Sequence, residues 1–94
     1  MSYATLSNWT TTDWTDDMEN LAREKYVPMV MALGAASVQM VRTGDRSFSV
    51  LTTYADEATA NAAQERIAAI RAEAADELPM TMSGTSSGAV FASG

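Results

Sequence analysis

The residues able to carry acid–base, nucleophilic or metal chemistry are few in this chain, and two kinds are missing. None of the 94 residues is Cys or His. Without Cys there is no disulfide, thiolate nucleophile or sulfur metal site. Without His there is no imidazole base, Ser-His triad or ordinary zinc site. Neither a D-x-D-x-D-G loop nor a phosphate-binding Gly loop occurs. No metal and no cofactor is therefore expected. Gly84-Thr85-Ser86-Ser87-Gly88 lacks the Lys of a P-loop and reads as a flexible crossover. The carboxylates form no evident pair. Asp13, Asp16, Asp17 and Glu19 crowd the start of a helix, where the dipole favours negative charge. Asp76 and Glu77 fall at a helix C-terminus, where it does not, and Arg42, Arg46 or solvent is expected to compensate. Large side chains remain. Trp9, Trp14, Tyr26, Phe48 and Tyr54 can line an apolar pocket with the Tyr hydroxyls as handles, or can equally be the core. The seven Met fit the same two roles. Met1 is the initiator, while Met29, Met31, Met80 and Met82 are expected to border one space.

Net charge narrows the partners. Six basic residues stand against twelve acidic ones, a net of −6. No two basic residues are adjacent, so no patch is available for phosphates or an anionic membrane surface. Nucleic-acid and membrane partners are not expected. The N-terminal MSYATLSNWT lacks the basic and apolar runs of a secretory signal. Val27 to Ala36 is broken by Pro28 and Gly34 and is half the length of about 20 residues that a membrane span needs. A cytoplasmic location is the expectation.

The elements that must position these side chains follow from periodicity. The length fits one domain, residues 1–94. Tyr3 to Trp9 reads as a strand. Met18, Leu21, Ala22, Tyr26, Met29, Val30 and Leu33 fall at helical spacing, giving a helix over 14–33. Gly34 is its cap and Pro28 implies a kink or break. Glu19 and Arg23 sit four apart in the favourable order. Ala35 to Thr43 and Ser47 to Tyr54 read as strands joined by a two-residue Gly44-Asp45 loop. That loop puts Val41 opposite Phe48 and Val38 opposite Leu51. One face then carries Val41, Phe48 and Val50, and the other Val38, Met40 and Leu51. Two half-apolar faces imply helices on one side and a second copy of the chain on the other. Asp56 caps a second helix, whose stripe is Ala60, Ala63, Ile67, Ile70, Ala74 and Leu78 and which Pro79 stops. Met80 to Ser83 and Ala89 to Ser93 read as two short strands.

Strand, helix, strand, strand, helix, strand is the α+β, ferredoxin-like βαββαβ order, with a four-stranded antiparallel sheet and two helices on one face. The order, the length and Thr52-Thr-Tyr-Ala-Asp-Glu-Ala-Thr-Ala-Asn-Ala-Ala63 resemble the dimeric α/β-barrel superfamily, which includes small antibiotic-biosynthesis-type monooxygenases. The resemblance spans nearly the whole chain. It implies a homodimer of two sheets packed face to face, with any pocket between sheet and helices. It also points to Asn8, because relatives carry an Asn near this point of the first strand that orients substrate. Those relatives use an aromatic on the second helix, and haem degraders add a His; this chain has neither, which argues against haem degradation.

The expected function is binding of a small apolar or aromatic molecule between sheet and helices, with Asn8, Trp14, Tyr26, Arg42, Phe48 and Tyr54 as candidate ligand contacts. One alternative is a cofactor-independent monooxygenase or isomerase on an aromatic or polyketide-like substrate, positioned by Asn8, Tyr26 and Arg42. The other is a structural or interaction module without a ligand. The Ala89–Ser93 segment is expected to pair as a strand and to bury Val90 or Phe91 at or near a subunit interface.

Overall fold

The computed structural model describes residues 2–94, and Met1 lies outside them. Its elements are β1 (Tyr3–Thr11), α1 (Asp16–Leu21), a π-helical turn (Ala22–Tyr26), α2 (Val27–Met31), β2 (Ser37–Gly44), β3 (Ser47–Tyr54), α3 (Glu57–Glu77) and β4 (Met80–Ala89). The strands form one antiparallel sheet in the order β2-β3-β1-β4. This is the ferredoxin-like α+β order read from the sequence.

The first helix starts later than its periodicity suggests. The Trp14 N–H donates to Asp13 Oδ1 at 2.8 Å, and residues 13–15 stay outside the helix. Thr15 becomes the N-cap, accepting from the Met18 N–H at 3.2 Å. Pro28 has no N–H to give, and its ring crowds the carbonyl four residues back. The helix widens just before it: the Val27 N–H donates to the Ala22 carbonyl, five residues back. The expected kink is thus a π turn. Gly34, at φ 97°, ends the run in a conformation that only Gly adopts without strain.

In α3, Asp56 caps as expected, accepting from the Thr59 N–H at 2.8 Å. Ala60, Ala63, Ile67 and Ala74 are buried along its inner stripe. Ala60, Ala63 and Ile67 form one core cluster with Tyr54, Val30 and Ala35.

Three expectations fail on the strands. The hairpin turn is Asp45-Arg46, with Arg42 opposite Phe48, Met40 opposite Val50 and Val38 opposite Thr52. Thr43 is the extra residue of a bulge before Gly44. Gly44 fits there because a Cβ would meet Ser47 Oγ at 2.7 Å. A one-residue slip exchanges the faces of one strand relative to the other. Met40, Arg42, Phe48 and Val50 consequently share the helix-covered face, while Val41 and Leu51 lie on the outer face, 51% and 37% exposed.

The Gly84–Gly88 segment is not a crossover. It continues β4 and pairs with β1 residue by residue from Asn8 to Ala4. Backbone groups along the free edge of β1 need partners whatever side chains the partner bears. The separate strand expected over Ala89–Ser93 does not form: β4 ends at Ala89, one further bond from the Val90 N–H to the Ser2 carbonyl at 2.8 Å closes the pairing, and residues 91–94 lie in no strand, because β1 has no backbone left to pair with them. Val90 is half-buried, but Phe91 is 93% exposed within the single chain.

Candidate functional site

A cavity of about 420 Å³ opens between the sheet and the helices. Strand alternation sends every second side chain of the sheet toward it. Its floor is Thr5, Ser7 and Trp9 of β1, Met40 and Arg42 of β2, and Phe48, Val50 and Thr52 of β3. Met80 of β4 closes one edge, and the walls come from the first helical run and from α3.

One end is aromatic. The Trp9 ring lies parallel to Phe48, centroids 6.1 Å apart, and Trp14 meets Phe48 edge-on at 5.9 Å. These geometries suit the ring quadrupoles. The buried Trp9 indole N–H donates to Ser7 Oγ at 2.9 Å, and that of Trp14 to Glu19 Oε2 at 2.8 Å. The Arg42 guanidinium lies 4.3 Å from the Trp14 ring centroid, a cation–π contact. Arg42 also donates to the Gly44 and Asp45 carbonyls at 3.1 and 2.9 Å, so the hairpin turn fixes its position.

Tyr26 reaches the cavity from the π turn, and its hydroxyl donates to Glu77 Oε1 at 2.6 Å. Lys25 donates to the same carboxylate at 2.9 Å and lies 3.5 Å from Glu73. Burial, then the Glu77 hydrogen bond, pushes the Tyr26 phenol up to about 12. The bond from Tyr26 and that from Lys25 hold Glu77 below the usual carboxylate range. Lys25, not Arg42 or Arg46, balances the charge of Glu77 at the end of α3, and the Tyr26 hydroxyl adds a neutral hydrogen bond. The Glu19–Arg23 spacing gives no ion pair either: Arg23 donates to Asn20 Oδ1 at 3.1 Å, and Glu19 serves Trp14.

Of the candidate contacts, Trp14, Tyr26, Arg42 and Phe48 line one cavity. Asn8 does not. It lies on the opposite face of the sheet, exposed, with its Oδ1 accepting from Ser49 Oγ at 2.6 Å. Its neighbours Ser7 and Trp9 face the helices, so alternation turns Asn8 away. Tyr54 is fully buried in the core cluster and is not part of the cavity lining. Met18, Met40 and Met80 line the cavity, while Met29, Met31 and Met82 do not.

Sequence reasoning missed Arg71. It lines the cavity from α3, half-buried, and burial pulls its guanidinium below its ordinary value. The signal was there: Arg71 follows Ile67 by four and precedes Ala74 by three, within the apolar stripe. Among the described residues, no cluster of three His, Cys, Asp or Glu could hold a metal ion. No described helix is long and apolar enough to cross a membrane.

This topology, with a cavity beneath the helices, defines a ferredoxin-like α+β fold. No family model and no curated protein matches the chain. Solved structures do. SnoaB from Streptomyces nogalater, a cofactor-independent oxygenase studied as its N63A mutant, superposes with a TM-score of 0.71 at 12% identity, covering 98% of this chain and 95% of that one. NE2512 from Nitrosomonas europaea, of unknown function, gives 0.66 at 22% identity over 100% and 94%. A dimeric ferredoxin-like protein from an uncultured marine organism gives 0.64 at 15% identity over 98% and 97%. At these identities the likeness is one of fold.

Proposed function

We propose that the protein is a homodimer in which each subunit binds a small, largely apolar, ring-bearing molecule in the cavity between sheet and helices. The observation that carries this reading is the cavity of about 420 Å³ with Trp9, Trp14 and Phe48 gathered at one end. That volume lies in the range typical of small-molecule sites. Homodimerisation is supported by Leu6, Val41 and Leu51 on the outer sheet face and by the dimeric fold neighbour. A thermal-shift screen against aromatic and quinone ligands tests the binding. A ligand that raises the Tm of the wild type and not of Phe48→Ala supports it; a broad panel without any shift sinks it.

A second reading is cofactor-independent oxygenation, favoured by the likeness to SnoaB. Tyr26 and Arg42 line the cavity in which such a substrate would lie, but Asn8 does not, because it faces away from it. Incubation with a hydroxyanthrone in air discriminates. Enzyme-dependent quinone absorbance favours the oxygenase, and binding without turnover favours a carrier or sensor.

A further inference from the structure

The chain carries six basic and twelve acidic residues, yet its cavity reverses that balance. Arg23, Arg42 and Arg71 line it against a single acid, Glu19. Two of these four charges are already committed within the fold. Glu19 accepts from the Trp14 indole, and Arg42 donates to the hairpin carbonyls and covers the Trp14 ring. Arg23 is exposed and donates to Asn20.

Arg71 is different. A helical Arg finds its usual counter-charge three or four positions away. Here those positions are Ile67, Ala68, Ala74 and Ala75. Among the described residues, no carboxylate lies within ion-pair distance of Arg71. A half-buried guanidinium keeps its charge, so it sits against apolar walls without a partner. A cavity-lining cation without a counter-charge calls for a partner that the chain itself does not supply.

We infer that Arg71 is the anion-recognising residue of the cavity, selecting apolar ring-bearing ligands that carry a carboxylate, phenolate or enolate oxygen. The aromatic end at Trp9, Trp14 and Phe48 receives the ring, and Arg71 on α3 receives the negative oxygen. This assignment rests on the ligand-binding reading above and adds to it the charge of the ligand.

Two matched probes test it: 2-naphthoate, which is anionic, and 2-naphthamide, which is neutral and nearly the same shape. Titration calorimetry on the full chain at neutral pH should show 2-naphthoate binding about ten-fold more tightly, the usual size of a charge-assisted hydrogen bond. Arg71→Gln should abolish that preference and leave 2-naphthamide binding little changed. Arg71→Lys, which keeps the charge, should retain most of the preference and guards against a folding defect in the Gln variant. Equal binding of both probes, or a preference that persists in Arg71→Gln and disappears in Arg42→Gln, overturns the assignment while the cavity reading stands. If neither probe binds, both readings fall.

Discussion

Tyr26 shows how one side chain links the cavity to the pH response of the fold. Its phenol is raised to about 12. A raised folded value means that its contribution is whole below the unfolded value near 10 and is lost as pH rises through about 12. Glu77 is shifted the other way, so its contribution is present above its ordinary value and lost as pH falls through the lowered one. Tyr26→Phe is expected to lower stability at neutral pH and to flatten the alkaline limb, as urea midpoints at neutral and alkaline pH will show. Asp56 behaves like Glu77. Its carboxyl is held low, first by the Thr59 backbone N–H and then by the Thr59 hydroxyl. Asp56→Asn still caps a helix. It should keep neutral-pH stability while removing part of the loss seen on acidification, which thermal melts across the acid range will register. At this scale the sequence was a partial guide. It named Tyr26 and Arg42 but not Arg71, because a lone Arg in an Ala-rich helix resembles any solvated charge until its neighbours are known.

Helix α3 sits close to the sheet because its inner stripe is mostly Ala. Ala60 is fully buried. Enlarging it to Leu should overpack the contact and cost about 1–3 kcal/mol, measured by chemical denaturation. The end of the first helical run depends on backbone instead. Gly34→Ala forces a Cβ onto a residue at φ 97° and should cost about 1–2 kcal/mol, although the nearest side-chain atom, Thr59 Cγ2 at 3.5 Å, leaves room for it. Element identity was legible because periodicity and caps act locally: β3 spans Ser47–Tyr54 as expected, and Asp56 caps α3. The β2–β3 register was not. A two-residue loop at Gly44-Asp45 and a turn at Asp45-Arg46 with a bulge are both compatible with the same letters. The Arg42 bonds to the turn carbonyls and the tight Gly44 approach favour the second.

For the whole molecule, the open question is the outer sheet face. Leu51 lies there, beside Leu6 on the neighbouring strand, with its alternate neighbours Val50 and Thr52 turned into the cavity. Placing a charge on it should disrupt a partner's packing and leave the cavity intact. Leu51→Asp is therefore expected to sediment at the mass of a single chain while keeping the ligand-induced Tm shift of the wild type. A wild type that already sediments as a single chain would remove the basis for the homodimer.

The amino-acid sequence by itself determined the order and kind of the elements through α3, since helix and strand periods, caps and Pro positions are local properties; the single long β4 depended on pairing with β1. It also determined the chemistry excluded by the absence of His and Cys. Only the tertiary structure decided which side chains share a space. Asn8 and Trp9 are adjacent in the chain yet lie on opposite faces of the sheet. Arg42 and Phe48 became neighbours through a one-residue change in register. Tyr26 met Glu77 across 51 residues. A side chain's neighbours across a sheet depend on register and layer packing, which are set by the sum of many long-range contacts. For that reason the place of Arg71 in the apolar stripe of α3 took on meaning only once α3 lay over the sheet.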